Sequence, residues 1–177
     1  MDTTQNNTAI LLAAHGAPAT DYPPMRVGLL MMLEFAGKRA ERAGFLRRWR
    51  DSLAEQARTW PRTADNDPYK VAVDDLAVKL SARLGYRTMV AHNEFCTPTI
   101  AEALDQLVAE GARRVIVLPT MLVRGNSHTE VEIQNAVNQA AKSHPTVDIH
   151  YAWPFEQARL VSLLADQVSA HLEQASQ

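Results

Sequence analysis

Four residues have side chains and surroundings that could do chemistry: His15, Glu94, Cys96 and His128. His15 follows the apolar run Thr8-Ala-Ile-Leu-Leu-Ala-Ala14. Glu94 follows Arg87-Thr-Met-Val-Ala91 and His92. His128 comes after Arg114-Val-Ile-Val-Leu118 and a loop that opens with Pro119. Two imidazoles and one carboxylate suit a divalent first-row metal ion. Neutral imidazole and carboxylate can also accept protons near neutral pH. Each residue has an ordinary reading as well. His15 could pack at a strand end, and Glu94 could be a charge near the N-terminus of a following helix. His128 could sit in the first turn of its own helix, with Ser127 or Asn126 as cap. A nucleophilic Cys96 would need a base; His92 is four residues away, and no hydrolase signature surrounds it, so an inert buried thiol is the expectation. His92 reads either as a partner of Glu94 or as an ordinary residue. Glu130 and Glu132 read as first-turn helix acids, and His144, His150 and His171 have no constellation around them.

The elements that must position these residues alternate. Short continuous apolar runs at 8–14, 87–91, 114–118 and 147–152 suit strands buried on both faces of a parallel sheet. Helical patterns separate them. Pro68–Leu84 carries Val71, Leu76, Val78, Leu80 and Leu84, then Gly85 as a stop. Thr99–Glu110 carries Ile100, Ala103, Leu104, Leu107 and Val108 as an amphipathic stripe. His128–Lys142, with Val131 and Val137 in its apolar set, and Phe155–Gln174 complete the series. The pattern predicts an α/β domain: a four-stranded parallel sheet with helices on both faces. In such sheets ligands bind beyond the carboxyl ends of the strands. His15, Glu94 and His128 all follow strand ends, so they are expected to converge on one edge.

The chain of 177 residues fits one domain, 1–177. One cysteine excludes an intrachain disulfide framework and a thiolate zinc module. A net charge of −2 argues against general nucleic-acid binding. The apolar runs at 9–14 and 27–33 are too short to cross a membrane, and the first lacks the basic flank of a signal peptide. A single thiol with no export signal points to the cytoplasm.

Residues 20–66 break the alternation. They hold helical patterns at about 25–43 and 45–60, parted by Gly44, and read as a helical insert after the first strand. From Lys38 to Arg62 there are eight basic residues against three acids, so the insert is locally basic, which also suits a merely solvated face. The run 27–35 is apolar nearly all round and is expected to be buried, in the core or against a partner or ligand.

The wording of the motifs resembles a known family. Ile10-Leu-Leu-Ala-Ala-His-Gly16 resembles the opening strand of the class II tetrapyrrole chelatases, the sirohydrochlorin cobalto-, ferro- and nickel-chelatases. Glu94-Phe-Cys-Thr-Pro98 resembles their Glu-x-x-x-Pro element. Val115-Ile-Val-Leu-Pro119 running to Gly125-Asn-Ser-His-Thr-Glu-Val-Glu-Ile133 resembles their strand, proline and histidine signature. The resemblance covers about three quarters of the chain. Ala17-Pro18 stands where the family often has Ser, and its short forms lack the insert.

The resemblance implies a chelatase-like fold and insertion of Co²⁺, Fe²⁺ or Ni²⁺ into a tetrapyrrole such as sirohydrochlorin, the metal being a substrate and no organic cofactor being needed. His15 and His128 match the metal-handling histidines, Glu94 the acid of metal delivery or proton removal, and Glu132 the acid after the second histidine. A homodimer is expected, with no nucleic-acid or membrane partner. Because sirohydrochlorin is rimmed by carboxylates, Arg47, Arg48, Arg50 and Arg124 are expected to meet that rim, with Trp49 and Trp60 against the ring face. A non-catalytic metal or tetrapyrrole carrier of the same fold, or a ferrochelatase-like enzyme using another porphyrin, remains open.

Overall fold

The computed structural model describes residues 7–35 and 44–174. Strand β1, Thr8–Ala14, is buried along almost its whole length. It lies between β2, Arg87–His92, and β3, Arg114–Pro119, both parallel to it. β4, Asp148–Tyr151, completes the order β2-β1-β3-β4. The register aligns Ala14 with His92 and Ala13 with Pro119. The carboxyl ends of three strands therefore finish side by side, and each next carries one of the candidate residues. The expected four-stranded parallel sheet is present, strand for strand.

Alternation along β1 splits the core. Ala9, Leu11 and Ala13 face α4, Ile100–Ala109, and α5, Ile133–Ser143. Leu12 and Ala14 face α3, Pro68–Leu84. α4 starts with a reciprocal cap: Thr99 Oγ1 accepts from Glu102 N, and Glu102 reaches back to Thr99 N. α3 starts on Asp67, whose carboxylate accepts from Lys70 N, and stops at left-handed Gly85 as expected.

Two buried faces differ from those read in the sequence. In α3 the sheet side is Val73 and Ala77, whereas Val71, Leu76, Val78 and Leu84 are exposed. The small Ala77 lets the helix approach the sheet closely, and the larger residues ring the contact. Ahead of α5 stands one turn of π-helix, His128–Glu132, closed by Ile133 N on the carbonyl of His128. The wider turn inserts a residue relative to α-helical spacing. Val131 is exposed, while Thr129, Ile133 and Val137 are buried.

The insert forms α1, Pro24–Phe35, and α2, Gly44–Arg58. Residues 36–43, including Lys38, Arg39 and Arg42, lie outside the described residues. Leu30 and Leu33 of α1 are buried against Leu53 of α2, but Met32 and Phe35 are exposed, so only one face of that apolar run is covered. Phe95 packs into both apolar clusters of the insert. The insert is thus fastened beside Glu94. Among its described cations, Arg50 pairs with Asp51, Arg58 with Glu55 and Glu102, and Arg62 with Asp67.

The last helix, α6, Gln157–Gln174, buries none of its side chains. Val161, Leu163, Leu164 and Val168 are all more than half exposed. No helix among the described residues is long and apolar enough to cross a membrane.

Candidate metal centre

Three backbone devices bring the site together. Beyond β1 and β2 the two strand ends stay zipped: Asn93 N donates to the carbonyl of Ala14, and Glu94 N to the carbonyl of His15, both at 2.9 Å. Gly16 has a φ of 89°, and the position a Cβ would occupy is 1.9 Å from the carbonyl oxygen of Glu94. Only glycine permits both that conformation and that approach. The π-turn after β3 then presents His128 across the gap.

As a result, one ligand atom each from His15, Glu94 and His128 lies within 4.8 Å of the others. All three residues are half-buried. The two imidazoles meet edge to face, with centroids 4.6 Å apart. His15 Nδ1 lies 2.7 Å from the carbonyl of Gly16, which can only accept, so Nδ1 carries the proton and Nε2 presents its lone pair. His128 Nδ1 lies 3.0 Å from Glu132 and 3.8 Å from Glu94. An ionised Glu132 accepts a hydrogen bond from Nδ1–H and leaves the Nε2 lone pair of His128 free, the kind of carboxylate support common to metal-binding histidines. Burial opposes ionisation of Glu132, but hydrogen bonds from Asn93 and His128 outweigh it and hold the carboxyl below its ordinary range.

Asn93 was not singled out in the sequence. Its Nδ2 donates to Glu132 at 2.7 Å, so from the neighbouring loop it holds the carboxylate that accepts from His128. Its place between His92 and Glu94 at a strand end was the available signal. Glu132 is more than a first-turn helix acid: four residues after His128, it lies on the same face and its carboxylate reaches the imidazole.

Beside Glu94 opens a cavity of about 330 Å³, with Leu30 and Glu34 of α1 and Asp51, Ala54 and Glu55 of α2 in its wall. Burial, together with the nearby Glu94, pushes the Glu34 carboxyl above its ordinary value. Arg47, Arg48 and Trp49 are exposed in the first part of α2 and are not in this lining. Arg124 pairs with Glu130 at 3.5 Å and borders a separate apolar groove formed with Leu122, Phe155 and α6. Trp60 is half-buried, meets Tyr22 edge to face, and donates its Nε1–H to Asp21. A larger open groove, about 650 Å³, runs along the outer edge of β2 between α3 and α4. It contains His92 but none of the three clustered ligand residues, so we place the chemistry at the cluster.

His92 does not support Glu94. Its ring is buried, and among the described residues neither nitrogen has a hydrogen-bond partner. Burial, assisted by Lys70, lowers its pKa to about 4. The unfolded chain therefore takes up a proton near pH 6.5 that the folded ring refuses until about pH 4. This contribution to stability is complete above that window and is lost as pH falls through it. Metal-free protein melted across pH 7 to 4 is expected to lose stability, and His92→Leu is expected to flatten the slope. An unchanged slope in the variant would show that the ring is not responsible. Cys96 is also buried, and burial pushes its thiol above the ordinary value, which is the wrong direction for a nucleophile.

The CbiX family model matches residues 64–171, which include Glu94 and His128 but neither His15 nor most of the insert. A sirohydrochlorin cobaltochelatase of Priestia megaterium is 34% identical over 61 residues, 34% of this chain and 20% of that one. A ferrochelatase of Stenotrophomonas maltophilia is 28% identical over 132 residues, 75% of this chain and 36% of that one. The chain thus spans well under two thirds of the length of these relatives. Among solved structures, a CbiX protein of Marinobacter aquaeolei VT8 superimposes with a TM-score of 0.56 at 16% identity, covering 94% of this chain and 98% of that one. That likeness is one of fold.

Proposed function

The chain belongs to the CbiX family of class II chelatases, and from that premise we propose that it inserts Co²⁺, Fe²⁺ or Ni²⁺ into sirohydrochlorin. The observation that carries the reading is the meeting of two imidazoles and a carboxylate within 4.8 Å at the carboxyl edge of the sheet. Insertion exchanges two pyrrole N–H protons for one divalent ion. His15 and His128 hold the ion through Nε2 and offer it to one face of the macrocycle. As each nitrogen releases the metal, its lone pair becomes free to accept a pyrrole proton, and Glu94 assists in removing protons. Three ligands that include no thiolate keep the ion exchangeable, where a closed thiolate cage would retain it.

In this reading Arg47, Arg48 and Arg124 meet the carboxylates of the macrocycle and Trp49 lies against its face. The enzyme works in the cytoplasm as a homodimer. The exposed apolar side chains of α6 support self-association, since a contiguous apolar surface favours burial against a partner.

A second reading, insertion into a different porphyrin, is favoured by the ferrochelatase likeness, which runs over three quarters of the chain. Mixing the protein with Co²⁺ and either sirohydrochlorin or protoporphyrin, and following absorbance, separates these. Turnover of sirohydrochlorin above the metal-only blank, absent from His15→Ala and His128→Ala and retained by Cys96→Ser, is the expected result. Preference for protoporphyrin moves the assignment to the second reading. Tight binding without turnover makes the protein a carrier.

A further inference from the structure

Arg62 looks in the sequence like one more cation of a basic insert. In the structure its side chain is only 10% exposed, and its partners come from four separate segments. Nη1 donates to the carbonyl of Ala17 at 2.7 Å and to Asp67 Oδ2 at 2.8 Å. Nη2 donates to the carbonyl of Ala57 at 3.0 Å and to the carbonyl of Phe95. Ala17 is two residues beyond His15, and Phe95 is the residue after Glu94. One guanidinium thus holds the two loops that carry two of the three metal ligands. Asp67, itself buried, fixes that guanidinium while its other oxygen caps α3.

We propose that Arg62 is a positioning residue of the metal centre, setting the separation of Glu94 from His15 through the Phe95 and Ala17 carbonyls. The inference rests on the chelatase reading and gives the insert a role in that site. Among the described residues Glu94 has no side-chain hydrogen bond within ordinary range; its nearest recorded polar neighbour is His128 Nδ1 at 3.8 Å. Its placement therefore comes from its backbone. On the amino side the loop is tied by Glu94 N to His15. On the carboxyl side Phe95 adopts a left-handed φ of 54°, which a bulky residue holds only when its surroundings impose it. Arg62 on the carbonyl and the insert clusters on the ring are those surroundings. Bidentate, planar donation suits this task, and a lysine ammonium cannot reach four acceptors in one plane. Metal sites tolerate ligand displacements of only about 0.2 Å, so loosening either loop is felt at the ion.

The test uses Co²⁺ alone as probe, with its visible absorption reporting ligand geometry and thermal melts reporting the fold. Arg62→Met is expected to bind Co²⁺ about 10- to 100-fold more weakly than the unaltered protein, the usual loss when support of a metal ligand is removed. Its visible band is expected to change shape, and Arg62→Lys should fall between the two. In Arg62→Met/Glu94→Gln the loss should be smaller than the product of the two single losses, because part of the Arg62 effect passes through Glu94. Should Arg62→Met not fold, Arg62→Lys and Asp67→Asn carry the same comparison. A folded variant with unchanged affinity and spectrum overturns the proposal, as do losses that multiply in the double variant. If the unaltered protein takes up no Co²⁺, the metal-centre reading itself falls, and this inference with it.

Discussion

Replacing His15 or His128 by alanine is expected to weaken Co²⁺ binding by more than about 100-fold while leaving the melting temperature of the metal-free protein nearly unchanged. Loss of a supporting partner alone typically costs about 10- to 100-fold in metal affinity, so loss of the ligand should exceed that. The fold should tolerate the change, because both side chains are half-buried at the edge of the sheet and neither belongs to its apolar core. Removing His128 also frees Glu132, which then lacks the imidazole it braces but keeps its hydrogen bond from Asn93. Isothermal titration of each variant with Co²⁺, beside a melt of the same sample, checks both halves. Undiminished Co²⁺ binding by His128→Ala would remove that residue from the centre.

Gly16→Ala should be the most damaging single-methyl change in the chain. The new Cβ would lie 1.9 Å from the Glu94 carbonyl oxygen and 3.0 Å from its carbon, both backbone atoms with little room to retreat. A φ of 89° adds strain of about 1–3 kcal/mol for any residue with a side chain. Relief requires the loops after β1 and β2 to part, which separates His15 from Glu94. Both stability and Co²⁺ affinity should fall, the melting temperature by about 5–10 °C. Gly85→Ala separates the causes. Gly85 has a φ of 73°, but no atom lies within 4 Å of its added methyl. That variant should lose some stability and keep its metal binding. Equal Co²⁺ affinity in Gly16→Ala and the unaltered protein would show that the loop contact does not set the site.

The strands and the convergence of His15, Glu94 and His128 were legible because the physics that places them is local or topological. A continuous apolar run such as 9–14 needs two covered faces, and parallel strands must finish on a common edge. What was hidden depended on tertiary distance. Val73 and Ala77, not the larger apolar residues, face the sheet, because how closely α3 approaches is decided by the surface it meets. The π-turn at His128 carries no compositional mark. Asn93 and Arg62 have ordinary side chains in ordinary-looking segments. Their roles exist only once loops distant in sequence are side by side. Counting Arg62 in a basic surface failed for the same reason: charge composition does not distinguish a solvated cation from a buried clamp.

The central position of β1 couples metal handling to folding. His15 leaves a strand whose two neighbours, β2 and β3, come from much later in the chain. No short fragment can reproduce the three-residue arrangement, so an unfolded chain presents isolated side chains of far lower affinity. An ion bound at the centre therefore stabilises the native state by nearly its full binding free energy, rising with the logarithm of free metal concentration. In the proposed reaction, handing the ion to a macrocycle would withdraw that contribution. Across each turnover the protein would alternate between a metal-stiffened and a more easily opened form, and its resistance to heat or proteolysis would track the supply of its inorganic substrate.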